Sequence, residues 1–386
     1  MKLGILGQCK GGNAVLWFEL FNNNLHNYAD ISDLKYICRN ENELKANFNL
    51  KELFGKKNSL KNKYLLLIRS LFYSKIMANY YFYFKLPFEK FDIIHIQGNY
   101  SPSFNLKLIK NTKAKIVLQI MGSDFYQNYL KNKLDPKERK RFIKVLKMSN
   151  HIVCSRETSK EDLLKEFPFF KNKISVIRLG TSEKWINKSV QELIDLKKKS
   201  NKTIFLSTRG LYDYNNVDLL VEAFCKVFKN KQENVKLLIV NGYGNHPELI
   251  KKINDIIIKY KCNDIVELII NQWIPEKKLM ELYEIADYNF CIGSTDQLSI
   301  SITYGFLVGT TNVLSPINTY FELKDSGYNS IKILENISID KLTNFFKNLP
   351  KKNFKQIMAD REKARREHIA TVNFKKFIKL YKSVTE

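Results

Sequence analysis

Short apolar runs rich in β-branched residues alternate along this chain with longer segments whose apolar positions recur every three to four residues. In the first half, residues 2–6, 35–38, 92–96, 115–120, 151–154 and 174–177 read as strands, with helical periodicity between them. A polar, lysine-rich stretch at 187–202 (NKSVQELIDLKKKSNK) breaks the pattern and predicts a domain boundary. The alternation then resumes, with strands at 203–207, 235–240, 265–270, 288–292 and 311–314 and helices at 217–229, 247–260 and 276–286. Strand–helix alternation of this kind builds parallel sheets with helices on both faces. The pattern therefore predicts an α/β protein of two doubly wound, Rossmann-like domains, residues 1–186 and 200–365, with 366–386 as a C-terminal extension. Such sheets bind ligands beyond the carboxyl ends of their strands, so two domains facing each other across a cleft put the chemistry in the strand-to-helix loops.

Composition narrows the classes. A chain of 386 residues with 44% hydrophobic content can bury two ordinary cores, which excludes a disordered protein. The 64 Lys and Arg against 39 Asp and Glu give a net charge of +25, attractive to any polyanion, although lysine and asparagine are spread so widely that part of the excess is compositional. No zinc finger, basic heptad helix or RNP-like strand accompanies the charge, so nucleic acid is not an expected partner. The basic run at 136–147 (PKERKRFIKVLK) suits either an anionic lipid surface or a solvated helix face.

The six cysteines are far apart, without Cys-x-x-Cys pairs or histidines at ligand spacing, so neither zinc nor a disulfide framework is expected and a reducing cytoplasm fits. The opening MKLGILGQCKGG reads as a first strand rather than a signal peptide. Segment 64–84 is apolar and aromatic, but Arg69 and Lys75 interrupt it, so it predicts a core or interfacial helix rather than a membrane span.

Four loops carry candidate chemistry. After the first strand, Gly11 and Gly12 permit close backbone approach to a phosphate or sugar, or simply make a tight turn. The loop lacks full G-x-G-x-x-G spacing, which disfavours a dinucleotide site. After residues 115–120 comes Met121-Gly122-Ser123-Asp124, whose carboxylate either accepts from sugar hydroxyls or caps the next helix. His95, inside a strand, is either an acceptor-side group or a core histidine. Arg209, at a strand end beside Gly210, has the fork geometry for a phosphate, with a surface arginine as the plain alternative. Finally, Gly293-Ser294-Thr295-Asp296-Gln297-Leu298 leads into a helix starting near Ser299. That helix start, with Ser301 in its first turn, suits a diphosphate, and Asp296 either meets a sugar hydroxyl or caps the helix.

In order and spacing, SNHIVCSRETSKEDLLKEF, KISVIRLGTSEKW, FLSTRGLYDYNNVDLLVEAF, VKLLIVNGYG, VELIINQWIPEKKLMELYEIADYNFCIGSTD and YGFLVGTTNVL resemble the retaining GT-B glycosyltransferases, the class that includes family 4. The likeness spans nearly the whole chain. It implies an acceptor-binding first domain, with His95, Gly122, Ser123 and Asp124 on the acceptor side. It also implies a second domain holding a nucleotide-diphosphate sugar, and a C-terminal helix, 373–383, crossing back to the first domain. By this resemblance the donor is a substrate, no cofactor or metal is needed, and the acceptor is a glycan or lipid-linked saccharide at an inner membrane surface. The family's phosphate-binding Arg falls on Arg209 and its Lys near Asn215. Its Glu-x7-Glu signature falls on Asp296, facing the donor sugar, and Tyr304, where the family has a ribose-binding carboxylate. Gly11, Gly12, Gly242, Ser294, Gln297, Ser299 and Ser301 complete the implied donor site. Catalysis would rest on Asp124, Arg209 and Asp296. The departures at Asn215 and Tyr304 leave open a transferase fold that binds glycan or a partner without catalysis.

Overall fold

A computed structural model describes residues 1–7, 22, 30–38, 90–199, 201–229, 234–241, 246–270, 274–351 and 353–386. The glycine turn with Gly11 and Gly12, the helix expected to follow it, the segment 64–84 and Gly242 lie outside the described residues. Residue contacts divide the chain into two compact units, Met1–Ile177 with Phe374–Glu386, and Arg178–Asn373.

The first unit contains the strands β1 (Lys2–Gly7), β2 (Asp33–Cys38), β3 (Ile93–Gln97), β4 (Lys115–Gln119), β5 (His151–Cys154) and β6 (Ile174–Val176). Among them run the helices α1 (Pro102–Lys110), α2 (Pro136–Met148) and α3 (Glu157–Glu166), with a π-helical segment, Asp124–Leu130, directly after β4. The described strands form one parallel sheet in the order β2-β1-β3-β4-β5-β6. All five residues of β3 are buried, as expected of a parallel strand covered on both faces. Helix α2 starts where Asp135 accepts from the N–H groups of Lys137 at 2.8 Å and Glu138 at 2.9 Å, with Pro136 supplying a preset φ at the first helical position.

The second unit opens with α4 (Val190–Lys199) and continues with β7 (Thr203–Ser207), α5 (Val217–Phe228), β8 (Val235–Asn241), α6 (Pro247–Tyr260), β9 (Val266–Ile270), α7 (Glu276–Ile285), β10 (Tyr288–Cys291), α8 (Ile300–Leu307), β11 (Thr311–Leu314), α9 (Asn318–Asp325), β12 (Ile331–Ile333), α10 (Ile339–Lys347) and α11 (Phe354–His368). Helix α12 (Ala370–Thr385) follows, and from Phe374 onward it belongs to the first unit. The strand order β12-β11-β10-β7-β8-β9 is the doubly wound one in which the chain runs outward from β7 to β9 and then returns to start the other half at β10. The reversal point lies between β7 and β10, which pair in parallel.

The contact division falls at Ile177 and Arg178, ahead of the polar stretch 187–202. That polar stretch holds α4, whose Leu193 and Lys197 are buried, Lys197 donating to the Thr310 hydroxyl at 3.1 Å and to the Ala286 carbonyl. The stretch reads as linker because Lys198 and Lys199 face solvent, whereas Lys197 buries its ammonium among hydrogen-bond acceptors. No helix among the described residues is long and apolar enough to cross a membrane.

Candidate functional site

At the reversal point of the second sheet, β7 and β10 end side by side, and the loops that follow them are stitched together. The Ser294 N–H donates to the Tyr214 carbonyl at 2.8 Å, and Asn216 Nδ2 donates to the Ile292 carbonyl at 2.8 Å. A Cβ on Gly293 would stand 2.8 Å from Asn215 Oδ1, so a larger residue there would displace the Asn215 side chain. The stitching brings Arg209 to Asp296, with Nη1 and Oδ2 3.3 Å apart and both side chains mostly covered.

Each partner is fixed independently. The same Asp296 Oδ2 accepts from the Tyr320 hydroxyl at 2.7 Å, Oδ1 accepts from the Gln297 N–H at 2.7 Å, and the Asp296 carbonyl accepts from the Thr319 hydroxyl at 3.0 Å. Burial, and then the charge of Asp296, push the Tyr320 hydroxyl well above its ordinary pKa, so it stays a donor. Arg209 Nη2 reaches Asn215 Oδ1 at 3.5 Å, while Asn215 Nδ2 donates to the Gly210 carbonyl at 2.7 Å. Ser299 caps α8, accepting from the Ser301 N–H at 3.3 Å, and the two hydroxyls lie 2.6 Å apart. Leu298, directly before the cap, has φ 81°, a left-handed conformation that a leucine adopts only where its surroundings impose it. A held guanidinium and a held carboxylate thus stand beside the capped start of α8, a polar cluster whose chemistry suits an anion carrying hydroxyls.

Of the expected donor-side residues, Arg209, Asn215, Asp296, Gln297, Ser299 and Ser301 lie on these stitched loops and the start of α8, and Ser294 sits exposed on the same loop. Tyr304 has another occupation. Its ring stacks on Trp185 at 3.6 Å with 7° between planes and meets Tyr283 edge-on at 5.6 Å, inside the hydrophobic core. The Tyr304 ring is thus taken up by aromatic packing.

In the first unit, Asp124 and His95 are both enclosed. Asp124 is fully enclosed, its Oδ2 accepting from the Asn99 N–H at 2.7 Å and its Oδ1 from the N–H groups of Gly122 at 2.9 Å and of Met121 and Phe125 at 3.1 Å. It ties the loop after β3 to the loop after β4 and positions Gly122 (φ 107°) and Ser123, whose hydroxyl donates to Tyr100 at 3.1 Å. The carboxylate is therefore a positioning group, with backbone amides where an acceptor hydroxyl was expected.

His95 is likewise structural. It is fully buried in β3, with Nδ1 2.6 Å from the Tyr381 hydroxyl and its ring 5.2 Å from that of Phe377, both on α12. Burial lowers its pKa from 6.5 to about 3. The folded state holds the ring neutral, so its contribution to stability is complete above about pH 6.5 and is lost as pH falls from there toward 3, by about 1.4 kcal/mol per pH unit. Urea unfolding between pH 6.5 and 4.5 is expected to show a falling stability, and His95→Gln to make the fall shallower, the remainder including His151, whose pKa burial also lowers. An identical slope in both proteins would rule His95 out as its source.

Among the described residues, no three His, Cys, Asp or Glu side chains come together as a metal site, and Cys154, Cys225, Cys262 and Cys291 are free buried thiols.

No family model matches the chain. It is 25% identical over 323 residues to an uncharacterized glycosyltransferase of Methanocaldococcus jannaschii, covering 83% of this chain and 74% of that protein. Among solved structures, HepE of Anabaena, in complex with UDP-glucose, superposes with a TM-score of 0.72 at 12% identity, covering 99% of this chain and 100% of that one. A glycosyltransferase of Rickettsia africae gives 0.68 at 17%, covering 100% and 98%. Sucrose-phosphate synthase of Thermosynechococcus elongatus gives 0.71 at 12%, covering 99% and 98%. The fold is GT-B.

On this GT-B framework, sequence reasoning missed Tyr320 and Thr319, which hold Asp296, and Trp185, which occupies the face of Tyr304. Tyr320 and Thr319 open α9 after β11, the strand next to β10, so the GT-B strand order is the signal that points to them. Nothing in the local sequence pairs Trp185 with a residue so far along the chain.

Proposed function

We propose that this chain is a glycosyltransferase. It moves a sugar from a nucleotide-diphosphate donor to a saccharide or lipid-linked acceptor, with retention at the anomeric carbon, in the synthesis of a bacterial surface glycan or protein glycan at the inner face of the plasma membrane. The observation that carries the reading is the Arg209–Asp296 pair at the reversal point of the second sheet, where doubly wound sheets bind nucleotides. The UDP and UDP-glucose named with the Anabaena protein support a nucleoside diphosphate in the corresponding place.

In the reaction, the bond between the anomeric carbon and the diphosphate oxygen breaks and its electron pair leaves with the nucleoside diphosphate. The acceptor oxygen bonds to the same face of that carbon, and its proton passes to the departing phosphate. Arg209 and the N–H groups opening α8 neutralise charge developing on the leaving oxygen, and Asp296 orients the donor sugar. Because Asp296, itself held by the Tyr320 hydroxyl, already holds the guanidinium, little reorganisation accompanies catalysis.

Core packing of Tyr304 favours a second reading, a GT-B protein that binds glycan without turnover. Incubating the full chain with UDP-, GDP-, CMP- and dTDP-sugars and a membrane extract as acceptor separates the two. Acceptor-dependent nucleotide release from one donor class is expected; donor binding without release from any of them would establish the second reading.

A further inference from the structure

Among the described residues of the first unit, one face joins a cationic stripe to exposed apolar side chains. On α2, Lys137, Lys140, Arg141, Lys144, Lys147 and Met148 are exposed, at spacings that put them in a single stripe, while Phe142, Val145 and Leu146 turn into the core. The acidic groups at the start of the helix are engaged: Asp135 caps it, and Glu138 pairs with Arg141 at 2.5 Å. Arg139 is not part of the stripe, since its guanidinium lies over the Tyr129 ring at 3.9 Å and donates to the Tyr129 carbonyl. The stripe is thus cationic for most of its length.

At its C-terminal end the stripe meets apolar side chains that face water. Phe169, in the 3-10 segment Pro168–Lys173, is 62% exposed, and Met148 is 37% exposed. The segment is fixed to the helix end, because Lys173 Nζ donates to the Lys147 carbonyl at 2.9 Å. Phe169 is braced edge-on by Phe170 at 4.4 Å, and Lys147 Nζ lies 5.6 Å from its ring. A phenylalanine held outward by a buried one, beside Lys147 and Lys171, is a rigid apolar tip within a basic surround.

We propose that this face seats the first unit on an anionic bilayer, the α2 stripe lying along lipid phosphates while Phe169 and Met148 enter the boundary between headgroups and acyl chains. Charge complementarity selects a polyanion, and the exposed apolar tip selects a lipid surface over the phosphate backbone of a nucleic acid, which offers such a tip nothing to enter. The inference rests on the membrane location in the reading above and adds the contact face, which brings the acceptor-side unit to lipid-linked saccharide.

The test is co-sedimentation of the full chain with phosphatidylcholine vesicles, with and without phosphatidylglycerol, at low and high salt and without any donor. Binding to the phosphatidylglycerol vesicles, absent from pure phosphatidylcholine and weakened by salt, is expected. Phe169→Ser should lower the partition coefficient about tenfold, and Lys140→Glu with Lys144→Glu by more than about tenfold. All these side chains are exposed, so unchanged thermal melting and unchanged nucleotide release with a soluble acceptor verify the variants. Equal binding to both vesicle types, or phosphatidylglycerol binding unaffected by either variant, overturns the proposal. So does duplex DNA binding that falls in the charge variant while vesicles are ignored. A chain that binds vesicles but releases no nucleotide sinks only the transferase reading, and one that turns over but ignores vesicles sinks only this one.

Discussion

Replacing Arg209 with alanine is expected to lower sugar transfer by about 10²- to 10³-fold, the cost of removing one preorganised donor from a developing oxyanion. The fold should persist, because Asp296 keeps its bonds from Tyr320 and from the Gln297 N–H. Arg209→Lys should recover only part of the rate, since a single ammonium cannot hold Asp296 and a phosphate oxygen in the planar fork of a guanidinium. In the same assay Tyr320→Phe, which loosens the carboxylate without removing any group that meets the donor, is expected to cost about tenfold. The measurement is kcat/KM for nucleotide release with the donor class that the panel identifies. Unchanged turnover in Arg209→Ala would remove the transferase assignment from this site.

The largest effect on stability is expected at Asp124. Alanine there strands the N–H groups of Asn99, Met121 and Gly122, each costing about 1–3 kcal/mol when left unsatisfied, while the Phe125 N–H keeps the Gly122 carbonyl at 3.0 Å. Even with partial relaxation the first unit should lose roughly 3–5 kcal/mol, and its calorimetric transition should drop by roughly 10 °C. A transition that stays in place would mean that the loops after β3 and β4 do not depend on this carboxylate.

Much of the fold was legible because parallel strands, buried on both faces, write themselves as unbroken apolar runs. His151–Cys154, Thr203–Ser207 and Thr311–Leu314 match their expected bounds, and the other expected strands shift by only a few residues. Ile331–Ile333 was not anticipated, since three residues carry too little periodicity to stand out. The meeting of Arg209 and Asp296 follows from sheet order, which places β10 beside β7 although more than 80 residues separate the two side chains. Roles depending on what surrounds a side chain were not legible. Asp124 looks the same in sequence whether it faces a sugar or four backbone amides, and Tyr304 looks like a failed ribose ligand until Trp185 is seen against its ring.

The split membership of α12 has a consequence for how the protein is made. The first unit is interrupted: it stops at Ile177 and resumes at Phe374, and Phe374, Phe377 and Tyr381 are fully buried in it. At synthesis rates of about 5–20 residues per second, the roughly 200 residues between Ile177 and Tyr381 take on the order of 10–40 s to emerge. For that interval the nascent sheet has no Tyr381 to meet His95 and no Phe377 to cover it. The unit translated first is completed last, so the second unit folds while its neighbour is still unfinished, and the newborn chain passes through a stage open to chaperones and proteases.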